Sequence, residues 1–187
     1  MHMRLQLLAF LLVPAFALAQ DHSTAKVKWV SLEAAQAAAK VDGKPIIMDM
    51  WTPWCGWCKR MDAATFNDDQ TAAYINANFH AVSFNAESKD PVTFNGTVYE
   101  NKEFNPSAVG GRNGTHDLAK ATAVVNGGIG YPTIVYIGGD GALIGPDQGY
   151  KSPEDLEVLL RYVKEGANKT VALDEFKKTF KSARKTP

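Results

Sequence analysis

Asp49-Met50-Trp51-Thr52-Pro53-Trp54-Cys55-Gly56-Trp57-Cys58-Lys59 holds both cysteines of this 187-residue chain, with two residues between them. A pair at that spacing admits three readings. A structural zinc site needs four ligands, and no further cysteine follows, while His22, His80 and His116 stand far apart in the chain. The stabilisation from a stapling disulfide grows with the loop it closes, and this loop is nearly the smallest available. A reactive dithiol gains from the short spacing, because the second thiol attacks a mixed disulfide as soon as the first has formed one.

The flanks favour the reactive reading. Ile46, Ile47, Met48, Met50 and Trp51 form an apolar run after Lys44-Pro45, the pattern of a strand buried on both faces, with Trp51 expected in the core. Asp49 alone interrupts it. A carboxyl there is costly to bury without a partner, and desolvation is expected to raise its pKa. After the pair, Lys59 to Ala64 is good helix material, which sets Cys55 at a helix N-terminus. The unpaired N–H groups and the macrodipole favour a thiolate there, so Cys55 is expected to be the exposed nucleophile and Cys58 the more buried resolving thiol.

The stretch from Asp49 to Lys59 resembles the active-site segment of thioredoxins, in which a buried Asp precedes the first Cys by the same interval. Gly130-Tyr131-Pro132-Thr133, followed by Ile134 to Ile137 and Gly138-Gly139-Asp140-Gly141, is similar to the segment in which thioredoxins carry a cis-proline facing the dithiol, then an apolar strand and a hairpin turn. The Trp-Cys-Gly-Trp-Cys-Lys form, with Trp57 where thioredoxin has Pro, is closer to the exported thioredoxin-like proteins. The resemblance spans roughly residues 29 to 163. It implies an α/β thioredoxin fold: a central mixed β-sheet flanked by helices, here with an insertion before the cis-proline strand and an extra C-terminal helix.

Residues 1–19 carry Arg4, an apolar stretch from Leu5 to Leu18, and Ala17-Leu18-Ala19, the layout of a secretory signal with an A-x-A cleavage site. The stretch is short for a membrane span and contains Pro14. The expected organisation is a signal at 1–19 and one thioredoxin-like domain at 20–187, secreted and most simply periplasmic, with no membrane insertion of the mature chain. Twenty basic and twenty acidic residues balance, so nothing points to nucleic acid. The basic end, from Lys177 to Lys185, reads as a solvated helix face.

Helices and strands alternate along the rest. Helices are expected at Ser31–Lys40 with Ser31 as cap, in the run after Asn67 with Ala72, Ile75 and Phe79 on one face, at Thr115–Val125, from Ser152-Pro153 with Leu156, Leu159, Leu160 and Val163 inward, and around Leu173, Phe176 and Phe180. His80–Asn85 alternates as a strand. Residues 86–114 exceed a minimal thioredoxin; they include a hairpin pattern at Val92–Tyr99 around Asn95-Gly96, and either lie beside the dithiol or merely elaborate the surface. Arg112 and His116 stand near their end. His116 reads as a surface histidine at a helix start and His80 as structural.

Together these readings predict a thiol–disulfide oxidoreductase acting on protein disulfides, with the reductase direction favoured over oxidase or isomerase. Cys55 attacks, Cys58 resolves, and Asp49 exchanges a proton with Cys58. The resemblance implies that Pro132 orients the substrate backbone and that Tyr131 offers it main-chain hydrogen bonds. Trp54, Gly56 and Trp57 complete the substrate-facing surface. No cofactor or metal is expected beyond the Cys55–Cys58 couple, and the expected partners of a monomer are protein thiols or disulfides and a recharging redox protein, for which a membrane-bound one is admitted. The competing class is a thioredoxin-fold binding module or holdase.

Overall fold

Residues 25–108 and 112–185 are described by the computed structural model. The proposed signal, residues 1–19, lies outside them. The elements run β1 (Trp29–Val30), α1 (Leu32–Asp42), β2 (Ile46–Trp51), α2 (Gly56–Met61), α3 (Asp69–Asn78), β3 (His80–Asn85), β4 (Val92–Phe94), β5 (Thr97–Tyr99), α4 (Asp117–Thr122), β6 (Thr133–Ile137), β7 (Leu143–Gln148), α5 (Pro153–Lys164) and α6 (Leu173–Thr179). One π-helical turn, Asp62–Phe66, prolongs α2.

The main sheet has the order β1-β3-β2-β6-β7. β1 and β2 run parallel to β3, whereas β6 is antiparallel to both β2 and β7. β2 sits at the centre, which is why its sequence is apolar on both faces. Ile46, Met48 and Met50 pack with α1, α4 and β3 on one side; Ile47 joins Met61, Phe66, Ile75, Leu156 and Leu160 from the helices on the other. Asp49 falls on this second side by the two-residue alternation of a strand.

Local chemistry explains most boundaries. The Ser31 hydroxyl accepts from the Ala34 amide and Gly43 closes α1 in the left-handed conformation at φ 71°. Ser152 and Asp155 form a reciprocal capping box on α5, with Pro153 at its first position. The expected helix at Thr115–Val125 is shorter than its pattern: Asn126 and Gly127 adopt positive φ, and Val125 and Gly128 exchange backbone hydrogen bonds, so a tight turn replaces its last part.

The 86–114 excursion contains the expected hairpin, β4 against β5, turning at Asn95 and Gly96 with φ 50° and 80°. Its middle is far from a loose loop. Gln36 of α1 donates to the Thr93 carbonyl at 2.7 Å and accepts from the Asn95 amide at 2.8 Å, and Phe94 is buried in the core beside α1. His116 corrects the surface reading. It is fully buried, edge-on to Phe84, with Nδ1 accepting from the Leu118 amide and Nε2 donating to the Asp90 carbonyl. The ring thereby caps α4 and ties the excursion to it, which no exposed side chain does. His80 is structural as expected, 3.0 Å from Asp42 Oδ1.

Candidate active site

β2 ends at Trp51, the chain turns through Thr52-Pro53-Trp54, and Cys55 becomes the N-cap of α2. Cys55 and Cys58 are joined as a disulfide with Cα atoms 5.3 Å apart. The Cys58 amide donates to Cys55 Sγ at 3.0 Å, so the first sulfur occupies the place of a helix-capping oxygen. The expected contrast in exposure does not hold in this oxidised form: Cys55 is 3% exposed and Cys58 7%.

Behind Cys58 lies a cavity of about 230 Å³ lined by Trp29, Asp49, Trp51, Thr52, Cys58, Lys59, Asp62 and Ser83. Asp49 is buried and its Oδ1 has no hydrogen-bond partner. Its strand neighbours in register are Ser83 and Ile134, neither of which brings a positive charge. Desolvation, helped by the nearby Asp62 carboxylate, pushes the Asp49 pKa up to about 7. Trp51 departs from the core expectation. It is half-buried on the cavity wall, its indole N–H donating to Ser83 Oγ at 2.9 Å.

On the antiparallel partner of β2, Thr133 faces Met50, which brings Pro132 to the end of β2 from which the Cys55 turn departs. The Tyr131–Pro132 peptide bond is cis. Trp54 and Trp57, 39% and 55% exposed, flank the disulfide. Trp54 meets Tyr131 edge to face at 5.9 Å, its N–H donates to Glu87 Oε1 at 2.8 Å, and the Arg112 guanidinium lies 4.3 Å over its ring. Trp57 packs at 5.7 Å on Tyr150, and Arg60 lies over both rings. Gly56 is exposed at the start of α2, with open space where a side chain would begin.

Sequence reasoning missed Glu87, Arg60 and Tyr150. Glu87 and Arg112 come from the two ends of the 86–114 excursion, so that segment reaches Trp54, the residue before Cys55, while its hairpin packs on α1. Only the Trp54 neighbourhood, assembled by the fold, reveals the connection. Among the described residues no group of three His, Cys, Asp or Glu side chains is arranged to hold a metal ion, and no helix is long and apolar enough to cross a membrane.

A family model described as a thioredoxin-like domain matches residues 32–164. The fold is similar to that of an oxidoreductase named DsbH, 16% identical, with a TM-score of 0.55 over 82% of this chain and 94% of that one. It is also similar to a thioredoxin from Thermus thermophilus, 20% identical, with a TM-score of 0.51 over 74% and 87%. At these identities the likeness is one of fold. Among curated proteins no sequence matches the chain.

Proposed function

From the premise that this chain belongs to the thioredoxin-like domain family and is a thiol–disulfide oxidoreductase with Cys55 and Cys58 as its redox pair, we propose that it reduces protein disulfides. The observation that carries the direction is the buried, unpartnered Asp49 on the wall behind Cys58. In this reading the Cys55 thiolate attacks a substrate disulfide, forming a mixed disulfide and releasing one substrate thiolate. Asp49 then takes the proton of the Cys58 thiol, and the Cys58 thiolate attacks Cys55 Sγ, restoring the intramolecular disulfide and releasing the second substrate thiolate. A group with a pKa near 7 suits both halves of that proton exchange at neutral pH. Pro132 and Tyr131 hold the extended substrate beside Cys55, while Trp54, Gly56 and Trp57 form the docking face. The dithiol is the whole redox equipment, with no cofactor.

The opposite direction has one observation in its favour: the Cys58 amide hydrogen bond to Cys55 Sγ stabilises a thiolate there, and a stabilised reduced form makes a stronger oxidant. The equilibrium potential against glutathione, followed by tryptophan fluorescence, separates the two. A value near −270 mV supports the reductase, and one near −120 mV overturns it. Insulin reduction that disappears in Cys55→Ser supports the enzyme, whereas no turnover by the wild type above that of Cys55→Ser refutes it in favour of a binding module. Cys58→Ser is expected to accumulate mixed disulfides, and full activity there would refute the two-step route.

We place the protein in the periplasm on the strength of residues 1–19, as a monomer whose reduced state is restored by a redox protein at the membrane. Cell fractionation and the N-terminal sequence of the mature chain test the address.

A further inference from the structure

The rim of the dithiol carries more than aromatic surface. Arg112 lies 4.3 Å over Trp54 on one side, and Arg60 lies 5.2 Å over Trp57 and 5.6 Å over Tyr150 on the other. Both guanidiniums belong to exposed residues, and among the described residues neither pairs with a carboxylate, unlike Arg184, Lys120 and Lys151. A guanidinium over an aromatic ring is held by the ring's π-face and still has N–H donors that the ring does not use, available to a carboxylate. The acid nearest Trp54, Glu87, is buried and accepts the indole N–H, and Asp62 faces the cavity on the Cys58 side. Exposed Lys59 adds a third cation beside the pair.

We propose that these two arginines select the substrate: an extended polypeptide segment whose disulfide cysteine is flanked, within a few residues on each side, by Asp or Glu. The backbone lies along Tyr131-Pro132, apolar side chains rest against Trp54 and Trp57, and carboxylates on either side of the reacting cysteine meet Arg112 and Arg60. Arg112 sits at the end of the 86–114 excursion, so that segment supplies half of the selection. The inference rests on the reductase reading above.

The test uses the full mature chain, reduced beforehand, and two synthetic peptides with the same internal disulfide, one flanked by Asp and Glu and the other by Lys and Arg. Single-turnover oxidation is followed by stopped-flow tryptophan fluorescence. The acidic peptide is expected to react about fivefold faster at low ionic strength, with the ratio shrinking towards one in 0.5 M salt. Arg60→Gln with Arg112→Gln is expected to bring the low-salt ratio to about one. Equal rates in the wild type, a faster basic peptide, a ratio indifferent to salt, or a ratio preserved in the double variant would each overturn the proposal while leaving the reductase standing. Failure to react with either peptide would overturn both.

Discussion

Replacing Asp49 by Asn is expected to make the oxidised protein more stable at pH 8 and to abolish a pH dependence. The carboxyl is buried with an unpartnered oxygen, and its folded-state pKa of about 7 lies well above the ordinary 3.8. The folded chain therefore holds this proton more tightly than the unfolded chain. The associated stability is complete below pH 3.8, declines as pH rises towards 7, and is flat above. That interval, at about 1.4 kcal/mol per pH unit, amounts to a penalty of about 4 kcal/mol at pH 8. Asn is nearly isosteric and uncharged, so it removes the penalty without opening a new void. Urea unfolding of the wild type and Asp49→Asn, both with the disulfide closed, should be measured from pH 4 to 8. The difference in unfolding free energy is expected to grow in favour of Asn by a few kcal/mol across that range. A difference that stays flat would mean that Asp49 titrates as an ordinary carboxyl, and the account of the cavity behind Cys58 would fail with it.

His116 makes the opposite prediction. Burial lowers its pKa, so the stability it brings is complete above the ordinary 6.5 and is lost as pH falls below it. His116→Gln should cost roughly 2 kcal/mol at pH 8 through lost packing and a lost cap, and should flatten the acid limb of the urea-unfolding profile. Ser152→Ala removes half of the α5 capping box and is expected to cost about 1 kcal/mol, seen as a fall of roughly 2 to 4 °C in Tm. Gly139→Ala would drive a methyl group into the Gly43 carbonyl and should lower the urea midpoint by at least about 1 kcal/mol of stability, whereas Gly56→Ala, facing open space, should leave it within about 0.5 kcal/mol.

The parts of the fold legible in the sequence are those whose signals are local. Ser31 and Gly43 bracket α1, Ser152-Pro153 opens α5, and Asn95-Gly96 turns the hairpin, each by its own backbone or capping chemistry. β7, the strand beyond the Gly138–Gly141 turn, carries Gly145 and Pro146; an edge strand tolerates both, since one side of its ladder has no partner strand. The same logic divides the site. Cys55, Cys58 and Asp49 lie within ten residues and declare themselves by spacing and by an acid in an apolar run. The partners of Trp54 come from 33 residues away at Glu87 and farther still at Arg112, and no periodicity links them to the dithiol. His116 was misread because polarity suggests exposure, and only the Asp90 carbonyl and the Leu118 amide, brought to its two nitrogens by the fold, permit its burial.

The two tryptophans beside the disulfide are held unequally. Trp54 is fixed by a hydrogen bond at its nitrogen, a guanidinium over one face and a tyrosine at its edge; Trp57 has stacking contacts alone and more than half of its surface in solvent. Freezing a side chain on association costs conformational entropy, little for a tryptophan with its two χ angles but not zero. For Trp54 that entropy was surrendered when the chain folded, whereas Trp57 still has it to lose. In the docking face proposed above, Trp54 is thus the preformed jaw and Trp57 the adjustable one.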